Sequence, residues 1–412
     1  MIRLNKKVIM QYVLIYWMFQ FLDGRIAIAL GSDIFMIVSL LLGGGYILIH
    51  FPSMDKNIKG FIGGLVISLG VTILLTRGGL SPSSSLSLLA RFFVVYAAMD
   101  VDRENFVERL VKIVYVFAII SLFTFAFSQI VGVDKAISLV FSHLYEIKNI
   151  NTWLRSSYGL ILFCVNYVDP LRNAYMFGEV GLYQMVIMLA MYYLVYKSNM
   201  TQKRRKKYLI VFLVTMLTTQ STTGFFSLLV FVLVVLFDRS EKINTKIKAI
   251  IMSATLIAVI YFVFLASADS FIFTKILSKI TDSSGSLDLT VSTGADRVGA
   301  ILSLGRAIKE IPLELFFGVG YTGLVATIGQ FSCSGIVNSI IMFGWLSCIL
   351  FYVFLFSGAW KGCHSVYEFL FLAFMIINNG LSQPNFLAIT AVIVGMQYWV
   401  IDRRYVKYYL KG

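Results

Sequence analysis

Polar and charged positions cut this chain into a series of long apolar runs. In order they are Val8–Leu22, Ile26–Phe51, Gly60–Thr76, Leu86–Met99, Leu110–Val131, Gly178–Tyr196, Tyr208–Gln220, Gly224–Phe237, Ala249–Ala266, Gly335–Phe356, Glu368–Gly380 and Phe386–Ile401. A hydrocarbon core about 30 Å thick takes roughly 20 apolar residues in a helix, so these runs predict about 12 membrane crossings. No internal repeat and no soluble domain interrupts them. The expected architecture is an all-α polytopic membrane protein, a single integral membrane domain over residues 1–412.

One stretch departs from the simple pattern. Tyr208–Phe237 carries no charge, and as a straight helix it would run about 45 Å, too long for one crossing. Basic residues flank both ends, Lys203 to Lys207 before it and Arg239, Lys242, Lys246 and Lys248 after it. Lysine and arginine beside membrane segments mark the cytoplasmic side. The stretch is therefore expected to go out and come back, turning at Gln220-Ser221-Thr222-Thr223-Gly224. Short helices broken at a polar tip are where membrane proteins place substrate sites.

Composition and charge support the same class. The chain is 58% hydrophobic and 14% charged, with mean hydropathy +0.83. Its net charge of +14 reads as cytoplasmic loop charge rather than as a nucleic-acid surface. With both termini placed inside, about two-thirds of the lysines and arginines fall on the cytoplasmic face, the tail Arg403, Arg404, Lys407 and Lys411 among them. The start, Arg3, Lys6 and Lys7 followed by Val8–Leu22, reads as an uncleaved first helix, because Asp23-Gly24-Arg25 follows where a small-residue cleavage site would stand. Cys164, Cys333, Cys348 and Cys363 show no metal or disulfide spacing, and His50, His143 and His364 are scattered, so no metal or other cofactor is expected. Asp100-x-Asp102 is expected in a solvated cytoplasmic loop beside Arg103 and Glu104.

On the outer face most connections are short, but residues 132–177 and 267–334 form two long loops. Each holds apolar pieces, Leu160–Val168, Phe271–Ile280 and Ala300–Phe317, expected as interfacial helices. The costly ionisable residues at this level are Arg77, Arg91, Arg172, Glu179, Arg297 and Arg306. Arg172 and Glu179 stand seven apart and would share a helix face if the following helix began early. Alternatives stand for each: an ion pair for Arg91, a lipid phosphate for Arg77, mutual pairing for Arg172 and Glu179. Several arginines together suit a diphosphate, because guanidinium keeps its charge and binds phosphate oxygens two at a time.

Four stretches carry a family resemblance. They are Arg172 with Met176-Phe177-Gly178-Glu179; Ser221-Thr222-Thr223-Gly224; Arg297 with Ile311-Pro312 and Phe317-Gly318-Val319-Gly320; and Asn338 with Gly344. In this order they resemble the O-antigen ligase and polymerase superfamily, and within it the Wzy-type oligosaccharide repeat-unit polymerases, whose arrangement is GT-C-like. Ligases of the superfamily usually carry histidine before the asparagine. Here Val337 stands there, which favours the polymerase over the ligase. The resemblance implies glycosyl transfer on the outer face of the cytoplasmic membrane, with polyprenyl-diphosphate-linked oligosaccharide as donor and acceptor. It also implies membrane lipid, a chain-length regulator and a flippase as partners, and no nucleic acid. Under it, Arg297, then Arg172 and Arg306, would stabilise the leaving diphosphate, and Glu179 would be the base. Arg77, Arg91, Ser221, Thr222, Thr223, Gly224 and Asn338 would line the substrate site. The hydroxyl and amide groups among these could equally be helix caps or interhelical links. The rival functions are an O-antigen ligase and a lipid-linked oligosaccharide flippase or other transporter; the long outer loops argue against the flippase.

Overall fold

The computed structural model describes residues 6–75, 82–136, 146–147, 157–158, 164–166, 171–238, 292–328, 334–382 and 389–402. The expected span Ala249–Ala266, the piece Phe271–Ile280, Arg77 and the basic tail lie outside these residues. Four of the described helical stretches are long and apolar enough to cross a membrane: Ser32–Ser53, Lys56–Leu75, Arg103–Val131 and Gly335–Gly362. Shorter apolar helices lie at Val180–Tyr196, Thr223–Asp238, Val366–Leu381 and Ile389–Ile401. Together they mark a membrane protein, and the described residues are helical apart from one small sheet.

Helices Lys6–Gln20, Lys56–Leu75, Pro82–Asp100, Phe106–Val131, Val180–Tyr196 and Val366–Ser382 lie where the apolar runs predict them. The run Ile26–Phe51 is not one helix. It breaks at Gly31 into Arg25–Leu30 and Ser32–Ser39, the latter continuing through a π-turn at Leu40–Gly44 into Gly45–His50. In the first long loop, the described part of the expected helix Leu160–Val168 is not helical. Val165–Asn166 is a strand, pairing antiparallel with Ser157–Tyr158, which pairs in turn with Glu146–Ile147. Its β-branched valine suits an extended chain. In the second loop, Ala300–Phe317 is helical as expected but divided into Ser292–Glu310 and Pro312–Phe317, with Pro312 at the first turn of the second helix, where its missing N–H costs nothing.

The chain forms two compact units. One comprises Met1–Gly60, Ser83–Phe225 and Ala388–Gly412; the other comprises Phe61–Pro82 and Phe226–Leu387. The first is built round the helix Val180–Tyr196. Every residue from Val180 to Leu194 is buried, as befits a helix apolar on all sides. Phe106–Val131 and Gln202–Thr219 pack on it, and Tyr115 stacks on Tyr208 at 3.8 Å. Asp100 and Asp102, expected in solvent, are instead held by arginines. Arg103 pairs with Asp100, and Arg109 pairs with Asp102 at 2.6 Å while also donating to Gln11. Gln11 Nε2 donates to the carbonyls of Ala98 and Asp102, both at 2.9 Å. These contacts fasten the first helix to the turn between Pro82–Asp100 and Phe106–Val131. In the second unit, Phe231 meets Phe371 at 5.0 Å between ring centroids, and Asn378 Nδ2 donates to Ser227 Oγ at 3.1 Å.

Candidate functional site

In the first unit the Arg172 segment is joined to the turn at Ser221. The charge-free stretch breaks where expected: Gln202–Thr219 ends at Gln220 in the left-handed conformation (φ 47°), and Thr222–Asp238 begins two residues later. The last carbonyls of a helix lack partners within it, and here the Arg172 segment supplies two. Arg172 Nε donates to Thr219 O at 3.3 Å, and Asn173 N donates to Thr218 O at 3.0 Å. A guanidinium at this end also meets the negative pole of the helix. Asn173 is buried, and its Nδ2 donates to Ser121 Oγ and Thr218 Oγ1, both at 3.1 Å. Ser121 Oγ in turn shares a hydrogen bond with Tyr183 OH at 2.7 Å.

The expected shared helix face for Arg172 and Glu179 does not form. Asn173 Oδ1 accepts from Tyr175 N at 3.2 Å and Tyr175 takes φ 50°, so the chain turns rather than winding into a helix. The helix starts at Val180, with Glu179 exposed at its cap position in extended backbone (φ −135°, ψ 150°). Arg91 is half-buried on Pro82–Asp100, with its guanidinium 5.8 Å from the centre of the Phe21 ring, a cation–π contact.

Ser221 has a structural task. It is buried, and its Oγ accepts from Gly224 N at 3.2 Å, the capping contact that opens Thr222–Asp238; Thr223 Oγ1 lies 3.0 Å from the same oxygen. Thr222 opens that helix. Ser221→Ala should therefore cost about 1 kcal/mol of stability, read as a lower melting temperature of purified protein, with activity falling only in step. A much larger loss of activity than of stability would make Ser221 a substrate ligand instead.

The second unit holds the other two motifs, and their glycines meet. The helix Gly335–Gly362 is broken at Gly344 (φ 80°, ψ 164°), and Pro312–Phe317 ends at Gly318 (φ 89°, ψ 154°). A Cβ built on Gly318 would lie 2.6 Å from Gly344 N, and one built on Gly344 would lie 2.5 Å from Gly318 N. The two breaks thus cross backbone on backbone, and each satisfies groups the other frees. Ile341 O, deprived of its helical donor, accepts from Val319 N at 2.8 Å. Phe317 O accepts from Thr72 Oγ1 at 2.5 Å, and Ser68 bonds Ser347 nearby. Asn338 is buried in the half-helix before Gly344. Arg297 and Arg306 both lie on Ser292–Glu310, and Arg306 is exposed. Nine residues is two and a half turns at 3.6 residues per turn, so the two positions fall on opposite sides of that helix.

The chain matches no protein-family model, no curated protein and no solved structure.

Two polar residues here escape a search for outer-face charges in the apolar runs. Arg25 directly precedes the second run and is 3% exposed, hydrogen-bonded to the buried Cys164. Burial pushes the Cys164 thiol up to about 11, with the Arg25 guanidinium pulling the other way. Gln184 is the single amide in the helix Val180–Tyr196. Gln184 stands as a lone amide well inside the run Gly178–Tyr196, and Arg25 as a charge at the edge of the run Ile26–Phe51.

Proposed function

We propose that this protein is a glycosyltransferase of the cytoplasmic membrane that polymerises polyprenyl-diphosphate-linked oligosaccharide repeat units into O-antigen, capsular or exopolysaccharide. One observation carries this reading beyond the order of the motifs. The four stretches fold as two backbone-locked pairs of helix breaks, Arg172 on the Ser221 turn and Gly318 against Gly344. Irregular backbone at membrane depth is tolerated where it lines a cavity or a ligand site, because lipid offers it no hydrogen bonds. About 12 crossings, both termini inside and an outward-facing site complete the reading.

In this scheme a sugar hydroxyl of the acceptor attacks the anomeric carbon of the donor. The bond from that carbon to the diphosphate oxygen breaks, the electron pair leaves with the diphosphate, and the hydroxyl proton passes to the Glu179 carboxylate. Arg297 stabilises the developing negative charge, with Arg172 and then Arg306 in support; fixed cations do this without reorganising. Glu179 is exposed and sits one residue before a helix, where a proton can leave to solvent. Arg77, Arg91, Thr222, Thr223 and Asn338 are the further candidates for sugar binding, and the scheme needs no metal.

A deletion strain tests the assignment. Surface glycan reduced to single repeat units supports a polymerase. Complete loss of surface glycan points to a flippase or a ligase, and unchanged long glycan removes the assignment altogether.

A further inference from the structure

Gln184 is 1% exposed, and among the described residues neither its Nε2 nor its Oε1 has a hydrogen-bond partner. A primary amide brings two donors and an acceptor with two lone pairs. Left unmet in a buried place, both ends keep their desolvation penalty, whereas a methionine of similar shape would fill the space without it. Such a group in a membrane helix asks for a ligand.

Its neighbours narrow what that ligand is. The adjacent Tyr183 and the nearby Asn173 and Ser121 bond one another and do not reach the Gln184 amide. Gln184 lies under the Ser221–Gly224 turn: a Cβ built on Gly224 would stand 3.3 Å from Gln184 Cβ and 3.1 Å from Ser221 Cβ. Glycine is what lets the turn rest on it. The helix ending in that turn receives Arg172 on its Thr219 carbonyl.

We propose that Gln184 is a sugar-binding residue, its amide donating to one hydroxyl of a sugar ring and accepting from its neighbour. A diphosphate offers only acceptors and would leave Oε1 unmet; a cation would leave the Nε2 hydrogens unmet. Vicinal hydroxyls donate and accept side by side and satisfy both. With the amide 1% exposed, binding requires the packing around it to open. That the sugar belongs to a lipid-linked repeat unit rests on the polymerase reading above.

Gln184→Met and Gln184→Leu remove the amide and keep the bulk. With the full-length protein in detergent, both variants should melt at or above the wild-type temperature. Polyprenyl diphosphate alone should shift all three proteins alike. Lipid-linked repeat units extracted from the host should shift wild type further, and the variants no further than the bare lipid does. In cells the variants should polymerise about tenfold more slowly, the loss of roughly one good hydrogen bond pair. Variants that both melt lower or fail to fold reveal an amide already bonded inside the protein and overturn the proposal. So does an equal sugar-dependent shift in wild type and variants, or no such shift in wild type. The deletion phenotype is scored separately: long glycan in that strain, beside a sugar-dependent shift lost with Gln184, sinks the polymerase reading and leaves the sugar site standing.

Discussion

Gly344→Ala should leave little folded protein in the membrane. Gly344 adopts φ 80° and ψ 164°, a region open essentially to glycine alone, and a side chain there costs up to about 3 kcal/mol in backbone strain before any clash. The clash is severe as well. The added Cβ would stand 2.5 Å from both Gly318 N and Phe316 O, which are backbone atoms and cannot swing aside as a side-chain tip can. Relief would part the two chain breaks and strip Val319 N from Ile341 O, two polar groups with no water to turn to. The combined penalty is about 4 kcal/mol or more, at the far end of single substitutions and comparable with the whole stability of many domains. Membrane protein level by immunoblot and melting temperature in detergent measure it. Gly70→Ala is the control, since a Cβ on Gly70 meets nothing within 4 Å and alanine is the better helix former. Wild-type levels of an active Gly344→Ala protein would disprove the crossing.

Much of the fold was legible because a lipid-facing helix announces itself locally. Phe106–Val131 and Val180–Tyr196 follow their apolar runs within a few residues, and the break at Gln220–Ser221 follows from charge at both ends of a run too long to cross once. What was not legible depends on partners distant in sequence. Asp100 and Asp102 look solvated until Arg103 and Arg109 fold back on them. The segment from Arg172 to Glu179 looks helical until Asn173 bonds the Tyr175 amide and the Thr218 side chain. Gly318 and Gly344 stood out only as motif glycines, with Gly335–Phe356 read as one unbroken crossing, and no periodicity says that one break seats in the other. Gln184 carries no charge to mark it, and an amide reveals its cost only when its surroundings are known.

Under the proposed polymerase mechanism, Arg297→Ala should abolish long polysaccharide while single repeat units remain attached. Departure of a diphosphate concentrates negative charge on the leaving oxygen, and a cation fixed beside it acts mainly in the transition state, so its loss falls on turnover rather than on binding. Removing one such preorganised group typically costs about 3–4 kcal/mol, a factor of roughly 10² to 10³, enough to turn a ladder of long chains into a single band. Arg297→Lys should recover only part of this, because a point charge replaces a planar fork that holds two phosphate oxygens. Arg306 provides the internal comparison. It is exposed and lies half a turn out of phase with Arg297 on the helix Ser292–Glu310, so Arg306→Ala should shorten the chains far less. The readout is a glycan ladder on a gel beside an immunoblot for protein level. A normal ladder from Arg297→Ala at normal protein level removes Arg297 from the reaction. Equal damage from Arg297→Ala and Arg306→Ala would mean that the helix, rather than either guanidinium, is what the reaction needs.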